Sequence, residues 1–362
     1  MVKIYVMTHK KCDSPRDNMY VLMQVGKAIH ESLGYLGDDT YDNISNLNPF
    51  FSELTGMYWI WKNDKESDIV GLCHYRRYLL DDNNKLFTGK EIEKLLGDFD
   101  IITTKLLTLN YSYYEGFSAN HNRRDLDIVE NIIRIHYPMY YDIYISCVND
   151  IHTYFGNMII CSKRIFDSYC KWLFDILFLT MKEVDMTGYD DYQKRLYGFI
   201  SEILLLVYIK YNNLTVKECK VAMFGEKKET IEMKDRLERF FREKDMAGAK
   251  EYFMDCLSKR PDVLMEASDI NGELKTCMQL IITAQYEQEI YDSSGNNKCY
   301  LDECNDLRIL IPLYQRLNDV MERNLNNKPQ QEDAGFLAAN NFSQTALGIA
   351  REVVRAKKRI SI

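Results

Sequence analysis

The feature that most constrains this chain is a pattern that occurs twice. A short run of apolar, β-branched and aromatic residues stops abruptly at a polar, cationic cluster. Residues 3–7 (Lys3-Ile4-Tyr5-Val6-Met7) alternate and run into Thr8-His9-Lys10-Lys11, and residues 67–72 lead through Cys73 into His74-Tyr75-Arg76-Arg77-Tyr78. Alternation of this kind reads as strand. Between the two runs, residues 51–62 place apolar side chains at helical spacing, and a helix is also expected around residues 21–33, with a turn-forming acidic stretch at 37–45 between them. Further strands are expected at 98–103 and 154–161, and helices at 125–136 and 166–182. Strands alternating with helices require a sheet built on crossover connections, and ligands gather at the C-terminal strand ends of such sheets. Cationic groups planted there predict a crevice for an anionic ligand.

That anion is not nucleic acid in general, because the net charge of −8 lacks the surplus of Lys and Arg that neutralises a phosphate backbone. The ten cysteines show no paired CxxC spacing; Cys299 and Cys304 lie nearest, and no His or second Cys pair completes a zinc set. Scattered thiols fit a cytoplasmic protein. The first residues are too short and polar-flanked for a signal peptide, and no run approaches the ~20 apolar residues of a membrane span. The 26 tyrosines suit stacking on sugars and nucleotides, although an AT-rich genome raises tyrosine equally well.

From about residue 226 the texture changes to charged amphipathic helices, at 230–241, 246–257, 271–286 and 306–325. Residues 328–333 read as a linker, and 336–354 as a last helix ending in Arg351, Arg355, Lys357, Lys358 and Arg359. The expected organisation is an α/β domain at 1–225, an α-helical domain at 226–328, and a linker with a basic amphipathic helix at 329–362. Basic residues after an apolar helix suit peripheral contact with an anionic membrane face, at ~1 kcal/mol per residue near the surface, and a solvated helix end explains them as simply.

Within the α/β domain, Arg76 is the strongest candidate ligand, since a guanidinium grips phosphate oxygens through two parallel charged hydrogen bonds. A structural pairing with a nearby carboxylate is the plain alternative. Thr8, His9 and Lys10 occupy the first strand end, where open α/β sheets hold a nucleotide base or ribose. Asp38, Asp39 and Asn43 offer acceptors for ribose hydroxyls, although the same residues simply make turns. Two later clusters, His121–Asp125 and Tyr189–Arg195, are candidates to face an acceptor, with Glu202 a further turn along. Helix capping accounts equally well for Asp190 and Asp191.

Taken together, the segments KIYVMTHK (3–10), GDDTYDNIS (37–45), ELTGMYWIWKN (53–63), DIVGLCHYRRYLL (68–80), FGNMIICSKRIFDSYCKWLFDIL (155–177) and DYQKRLYGFISEILL (191–205) resemble a known family. It is the bacterial capsular-polysaccharide glycosyltransferase family long catalogued as a domain of unknown function. The resemblance implies a GT-A-like, Rossmann-type mixed sheet flanked by helices, followed here by an α-helical C-terminal domain outside the similarity. It also implies transfer of a hexosyl unit, galactofuranose in some relatives, from a UDP-sugar to an oligosaccharide or lipid-linked glycan acceptor. Carried onto this chain, Thr8, His9 and Lys10 would hold the base and Asp38, Asp39 and Asn43 the ribose. Lys62 and His74, Tyr75, Arg76 and Arg77 would meet the diphosphate. His74-Tyr75-Arg76 stands where most such enzymes carry an Asp-x-Asp metal site, so no divalent metal is expected as cofactor. Asp191 is the expected general base of an inverting displacement, with Asp190 and Glu202 as substitutes. His121, Asp125, Asn157, Gln193, Arg195 and Glu202 are the expected acceptor contacts. A non-catalytic nucleotide-sugar or glycan binder, or a helical adaptor of a polysaccharide assembly complex, are the alternative readings.

Overall fold

The computed structural model describes residues 1–224, 228–259, 269, 271–294 and 304–360. The chain divides into two compact units, Met1–Phe224 and Gly225–Ile362; the expected boundary at 226 and Cys299 fall outside the described residues. The first unit is built on a mixed sheet. Its strands are β1 (Val2–Thr8), β2 (Tyr20–Gln24), β3 (Leu36–Gly37), β4 (Ile69–His74), β5 (Arg77–Leu80) and β6 (Ile101–Thr104). A small ribbon, β7 (Leu107–Thr108) with β8 (His152–Thr153), stands apart, and β9 (Ile159–Ser162) and β10 (Val216–Met223) complete the sheet. β3, β2, β1 and β4 run parallel in that order. β9 then pairs antiparallel with both β4 and β6, β10 lies parallel to β6 and antiparallel to β5, and β5 returns to β4.

Period-two alternation sends each strand's side chains to two cores. Tyr5, Met7, Val70 and Leu72 enter the larger one, covered by the helices Leu54–Asn63, Arg123–His136, Lys163–Glu183 and Leu196–Tyr211. Ile4, Val6 and Cys73 enter the smaller one with Phe87 and with Ile92 from the helix Gly89–Asp98 that follows it. The first of these helices lies hard against β1: a Cβ on Gly56 would stand 2.6 Å from the Met7 sulfur and 2.9 Å from Val25. A helix that is apolar all round belongs inside a protein, and Leu196–Tyr211 is nearly so, with Leu196, Tyr197, Ile200, Ser201 and Ile203 through Ile209 buried.

The expected helix over 21–33 is replaced by β2 and a single 3-10 turn, Lys27–Ile29. Tyr20, Val21 and Leu22 fit the pleat beside Ile4, Tyr5 and Val6. The long strand expected at 154–161 is confined to Ile159–Ser162, because Gly156 and Asn157 both have positive φ, +91° and +50°.

The second unit is helical throughout its described residues: Lys228–Glu243, Met246–Lys259, Glu273–Ser294, Leu307–Leu325, Gln331–Asn340 and Gln344–Ile360. The last two stand where one helix was expected, broken at Asn341, which is left-handed at φ 44°. Nor does this segment form a separate tail. Phe336, Phe342, Ala346, Ala350 and Val354 are buried in the unit's own core with Leu310, Tyr314 and Leu317. Its apolar face is thus already covered, which removes the sequence argument for a membrane-lying helix. Arg351 and Arg355 are exposed, and the side chains of Lys357, Lys358 and Arg359 lie outside the described residues. Among the described residues no helix is long and apolar enough to cross a membrane.

Candidate active site

β4 ends at His74, which pairs with Arg77 at the start of β5, so Tyr75 and Arg76 are the two residues of a tight turn. The backbone N–H of Tyr75 donates to the Met7 carbonyl at 3.1 Å, tying this turn to the end of β1. Strand geometry therefore delivers Thr8-His9-Lys10 and His74-Tyr75-Arg76-Arg77 to one place. The Tyr75 ring is their common support. His9 meets its edge with ring centroids 5.4 Å apart, and the Lys10 ammonium and Arg76 guanidinium stand 5.1 and 5.0 Å from its centre. A cation over a tyrosine face is held electrostatically while keeping its charge available to a ligand.

Arg195 joins this cluster from the turn that precedes the helix Leu196–Tyr211. Its Nε donates to the Ser52 hydroxyl at 3.1 Å, and its guanidinium stands 5.6 Å from the Phe199 ring. Its positive charge bears on His9, His74 and Glu202 alike. Ser52 holds φ 50° and ψ −129°, an unusual backbone for a non-glycine residue, directly before Glu53. Lys10, Arg76 and Arg195 form no ion pair among the described residues, which leaves three cations grouped about His9. Burial, then the like charges of Lys10, Arg76, His30 and Arg195, lower the pKa of His9.

Behind the cations lie acids. Glu202 is the single charged side chain between Leu196 and Ile209, and it reaches the loop at Gly156, whose N–H donates to Oε1 at 2.9 Å. Burial pushes its pKa up to about 8, with the neighbouring Glu53 adding to the rise and Gly156, Arg77 and Arg195 opposing it. Glu53 accepts from the Asn157 amide at 2.9 Å. Arg77 lies in the field of both carboxylates, and its own burial lowers its pKa. His74 is likewise lowered by burial, and its Nε2 meets the Gly156 carbonyl at 2.6 Å. Two carboxylates around one half-buried guanidinium, beside exposed cations, can bind an anion and move a proton.

Other expected site residues are engaged in holding the fold. Asp38 is fully buried and accepts from the Gly26 and Lys27 N–H groups (2.8 and 3.1 Å) and the Ser45 and Thr55 hydroxyls (2.5 and 2.6 Å), so its oxygens are saturated without a ribose. Asp39 pairs with Lys27 at 3.3 Å, and Asn43 closes its own turn through the Tyr41 carbonyl and Ser45 N–H. Lys62 does not reach the cluster. It stands 3.8 Å from the Trp61 ring centre and 3.9 Å from Asp42, on the helix end that leads into the start of β4, a strand of six residues and therefore ~18 Å from its other end.

Asp191 is fully exposed and pairs with Lys194 at 3.2 Å, while Asp190 and Gln193 cap each other's backbone N–H groups (2.8 and 3.2 Å). Capping thus holds for Asp190 and not for Asp191, whose carboxylate lies in solvent beside Lys194 with no contact to the cluster among the described residues. Asn157 is also spent: it bonds Glu53, the Gly198 carbonyl (3.2 Å) and the Ser201 hydroxyl (2.9 Å). His121 is stacked on Tyr192 and Phe199, with centroids 5.2 and 4.4 Å apart, beside the Arg195 turn, and Asp125 accepts from the Tyr189 hydroxyl at 2.8 Å. Both brace that turn from behind.

Glu53, Ser52 and Gly156 were missed by sequence reasoning. A lone acid inside an apolar helix was the available signal for Glu202, because such a charge is costly to bury without a purpose. A separate cleft of about 490 Å³, lined by Ser67, Leu96, Phe99, Lys163 and Arg164, lies at the other ends of the strands, beside the starts of β4 and β6, and contains none of the clustered groups. Among the described residues no three His, Cys, Asp or Glu side chains converge in a way that could hold a metal ion.

Of the solved structures, the apo form of WbbM, a bifunctional glycosyltransferase, is similar at 30% sequence identity and a TM-score of 0.56. The similarity covers 62% of this chain and 45% of that one, so less than half of that protein is represented here. No protein with a curated description matches. The profile of a family described as a domain of unknown function, DUF4422, matches residues 3–213. That stretch exceeds half of the chain and contains every residue of the cluster, and the chain accordingly belongs to the DUF4422 family.

Proposed function

We propose that this protein is a glycosyltransferase that moves a hexosyl unit from a nucleoside-diphosphate sugar, with UDP-sugars the first donors to test, to a glycan hydroxyl. The observation that carries this reading is the grouping of Lys10, Arg76 and Arg195, free of ion pairs among the described residues, around His9 at the ends of β1 and β4, with the half-buried acid Glu202 in the field of Arg195. Likeness to WbbM supports it. Departure of a nucleoside diphosphate builds negative charge on its oxygens, and preorganised guanidinium and ammonium groups stabilise that charge without reorganising. The fixed cations take the place that a divalent ion fills in many enzymes with an Asp-x-Asp strand end.

Glu202 replaces Asp191 as the base. With its pKa raised to about 8, the ionised carboxylate is a strong enough base to accept the acceptor hydroxyl's proton, turnover should rise with pH through about 8, and the Gly156 N–H fixes one of its oxygens. A base acting on the acceptor suits a single displacement with inversion at the anomeric carbon. The test is a panel of nucleotide sugars with glycan acceptors, following nucleoside diphosphate release with EDTA and with added Mn2+ or Mg2+. Release that persists in EDTA supports the reading. Activity abolished by EDTA and restored by either metal overturns the cationic clamp, and binding of donors without turnover overturns the transferase.

A further inference from the structure

The Gly156 residue is bonded on both sides. Its carbonyl meets His74 Nε2 at 2.6 Å, and its N–H donates to Glu202 Oε1 at 2.9 Å. A carbonyl oxygen can only accept, so the imidazole carries its proton on Nε2 and leaves Nδ1 as a lone pair. Gly156 sits at φ +91°, a backbone readily open to glycine alone. The next residue is bolted independently, since Asn157 at φ +50° bonds Glu53, Gly198 and Ser201. One peptide segment, fixed from three directions, thus joins the end of β4 to the acid on the helix Leu196–Tyr211.

We propose that His74 is a positioning residue: by holding the Gly156 carbonyl it aims the Gly156 N–H at Glu202 and so sets the ionisation of the acid that receives the acceptor's proton. The inference rests on the transferase reading for its catalytic meaning and on geometry alone for the link itself. Glu202 is faced by Glu53, which raises its affinity for a proton, and by Arg77, Arg195 and the Gly156 N–H, which lower it, with the Tyr113 hydroxyl nearby. Arg77, Arg195 and Glu53 bear on His74 as well. Of these groups the Gly156 N–H is the one whose direction depends on His74. Without that anchor the loop stays tethered through Asn157, but Gly156, whose own backbone groups those side-chain bonds do not touch, can turn its N–H away, and Glu202 then ionises at higher pH.

The experiment follows the Glu202 carboxyl directly, by carbon NMR of the full chain labelled at glutamate, with the resonance assigned by its loss in Glu202→Gln. In His74→Ala the titration midpoint should rise by about one unit or more, the size expected when a hydrogen bond to a charged group is lost. In His74→Gln, whose amide reaches the same carbonyl but cannot titrate, the midpoint should return to that of the wild type. The pH at which kcat rises should move in parallel, with the donor KM unchanged. Equal midpoints in His74→Ala and the wild type, or a His74→Gln midpoint displaced as far as that of His74→Ala, would overturn the proposal. Should His74→Ala fail to fold, His74→Asn takes its place, since its shorter amide falls short of the carbonyl and the same rise is expected. A midpoint that shifts as described in a protein that transfers no sugar would remove the transferase reading and leave the link standing.

Discussion

Both units of this chain bury polar groups, and they satisfy them in opposite ways. In the helical unit the pairing is complementary. Gln279 and Asn318 exchange two amide hydrogen bonds (3.0 and 2.7 Å), Asp333 is gripped by Arg323 at 3.0 and 2.6 Å, and Asp269 caps the N–H groups of Leu274 and Lys275 at 2.9 Å each. At the strand-end cluster two carboxylates act on one half-buried guanidinium, the acid Glu202 is pushed up to about 8, and the nearby base His74 is pushed down. Matched polar pairs specify how helices meet, whereas an incompletely neutralised cluster stores reactivity. On the proposed function, that contrast assigns the chemistry to the first unit.

The sharpest way to break this contrast is Glu202→Gln. Removing a general base costs on the order of 100- to 10,000-fold in turnover, and calorimetry with UDP should show nucleotide affinity retained. Stability should move the other way. The folded-state pKa of Glu202 lies above that of an unfolded glutamate, so the native state binds the extra proton between about pH 4.3 and 8 and stability falls as pH rises through that window. Glu202→Gln should therefore melt above the wild type at pH 9 and lose that advantage near pH 4. A variant that is inactive and also less stable at pH 9 would make Glu202 an ordinary structural residue.

Arg76→Ala should cost about 100- to 1,000-fold in turnover, as loss of one preorganised charge partner does, while Lys62→Ala should change turnover by about twofold or less. Comparable losses in the two variants would mean that the cationic turn at Tyr75 and Arg76 is not where the diphosphate departs. In the helical unit, Asn318→Leu leaves the Gln279 amide without its reciprocal partner and should lower stability by ~1–3 kcal/mol in denaturant melts. Adding Gln279→Leu should recover most of that loss, because an apolar pair does not need what a lone amide needs. No such recovery is available at the cluster, where the mismatch of charges is the point.

The strand ends were legible in the sequence because alternation and β-branching mark β1 and β4, and Thr8-His9-Lys10 and His74-Tyr75-Arg76-Arg77 follow them directly. Arg195 was legible as a cation at a helix start. The acid was harder to find. Asp191 sits in a run of polar residues that draws the eye, yet such runs are what a solvated cap requires, whereas Glu202 is hidden in apolar sequence that reads as core. Asp38 looked like a ribose ligand because nothing in the sequence shows that Gly26, Ser45 and Thr55 converge on it. Gly156 gave no signal at all, since its importance lies in two backbone groups whose partners are 82 and 46 residues away. β2 was mistaken for helix because four successive apolar residues satisfy either period over so short a span.

The smallest expected effect is also an informative one. Asp191→Asn keeps the shape of the side chain and removes only its charge, at a position fully open to solvent whose partner is the neighbouring Lys194. An exposed pair of this kind is screened by water and ions, so its loss should leave turnover within about twofold of the wild type and the melting temperature unmoved. The turn itself keeps its cap, because Asp190 and Gln193 hold each other's N–H groups without help from Asp191. A large loss of kcat in Asp191→Asn would require the segment from Tyr189 to Arg195 to swing its acid toward the crevice when substrate binds. Arg195 would then have to leave Ser52, and the arrangement of cations described here would be the resting state of a site that closes around its substrates.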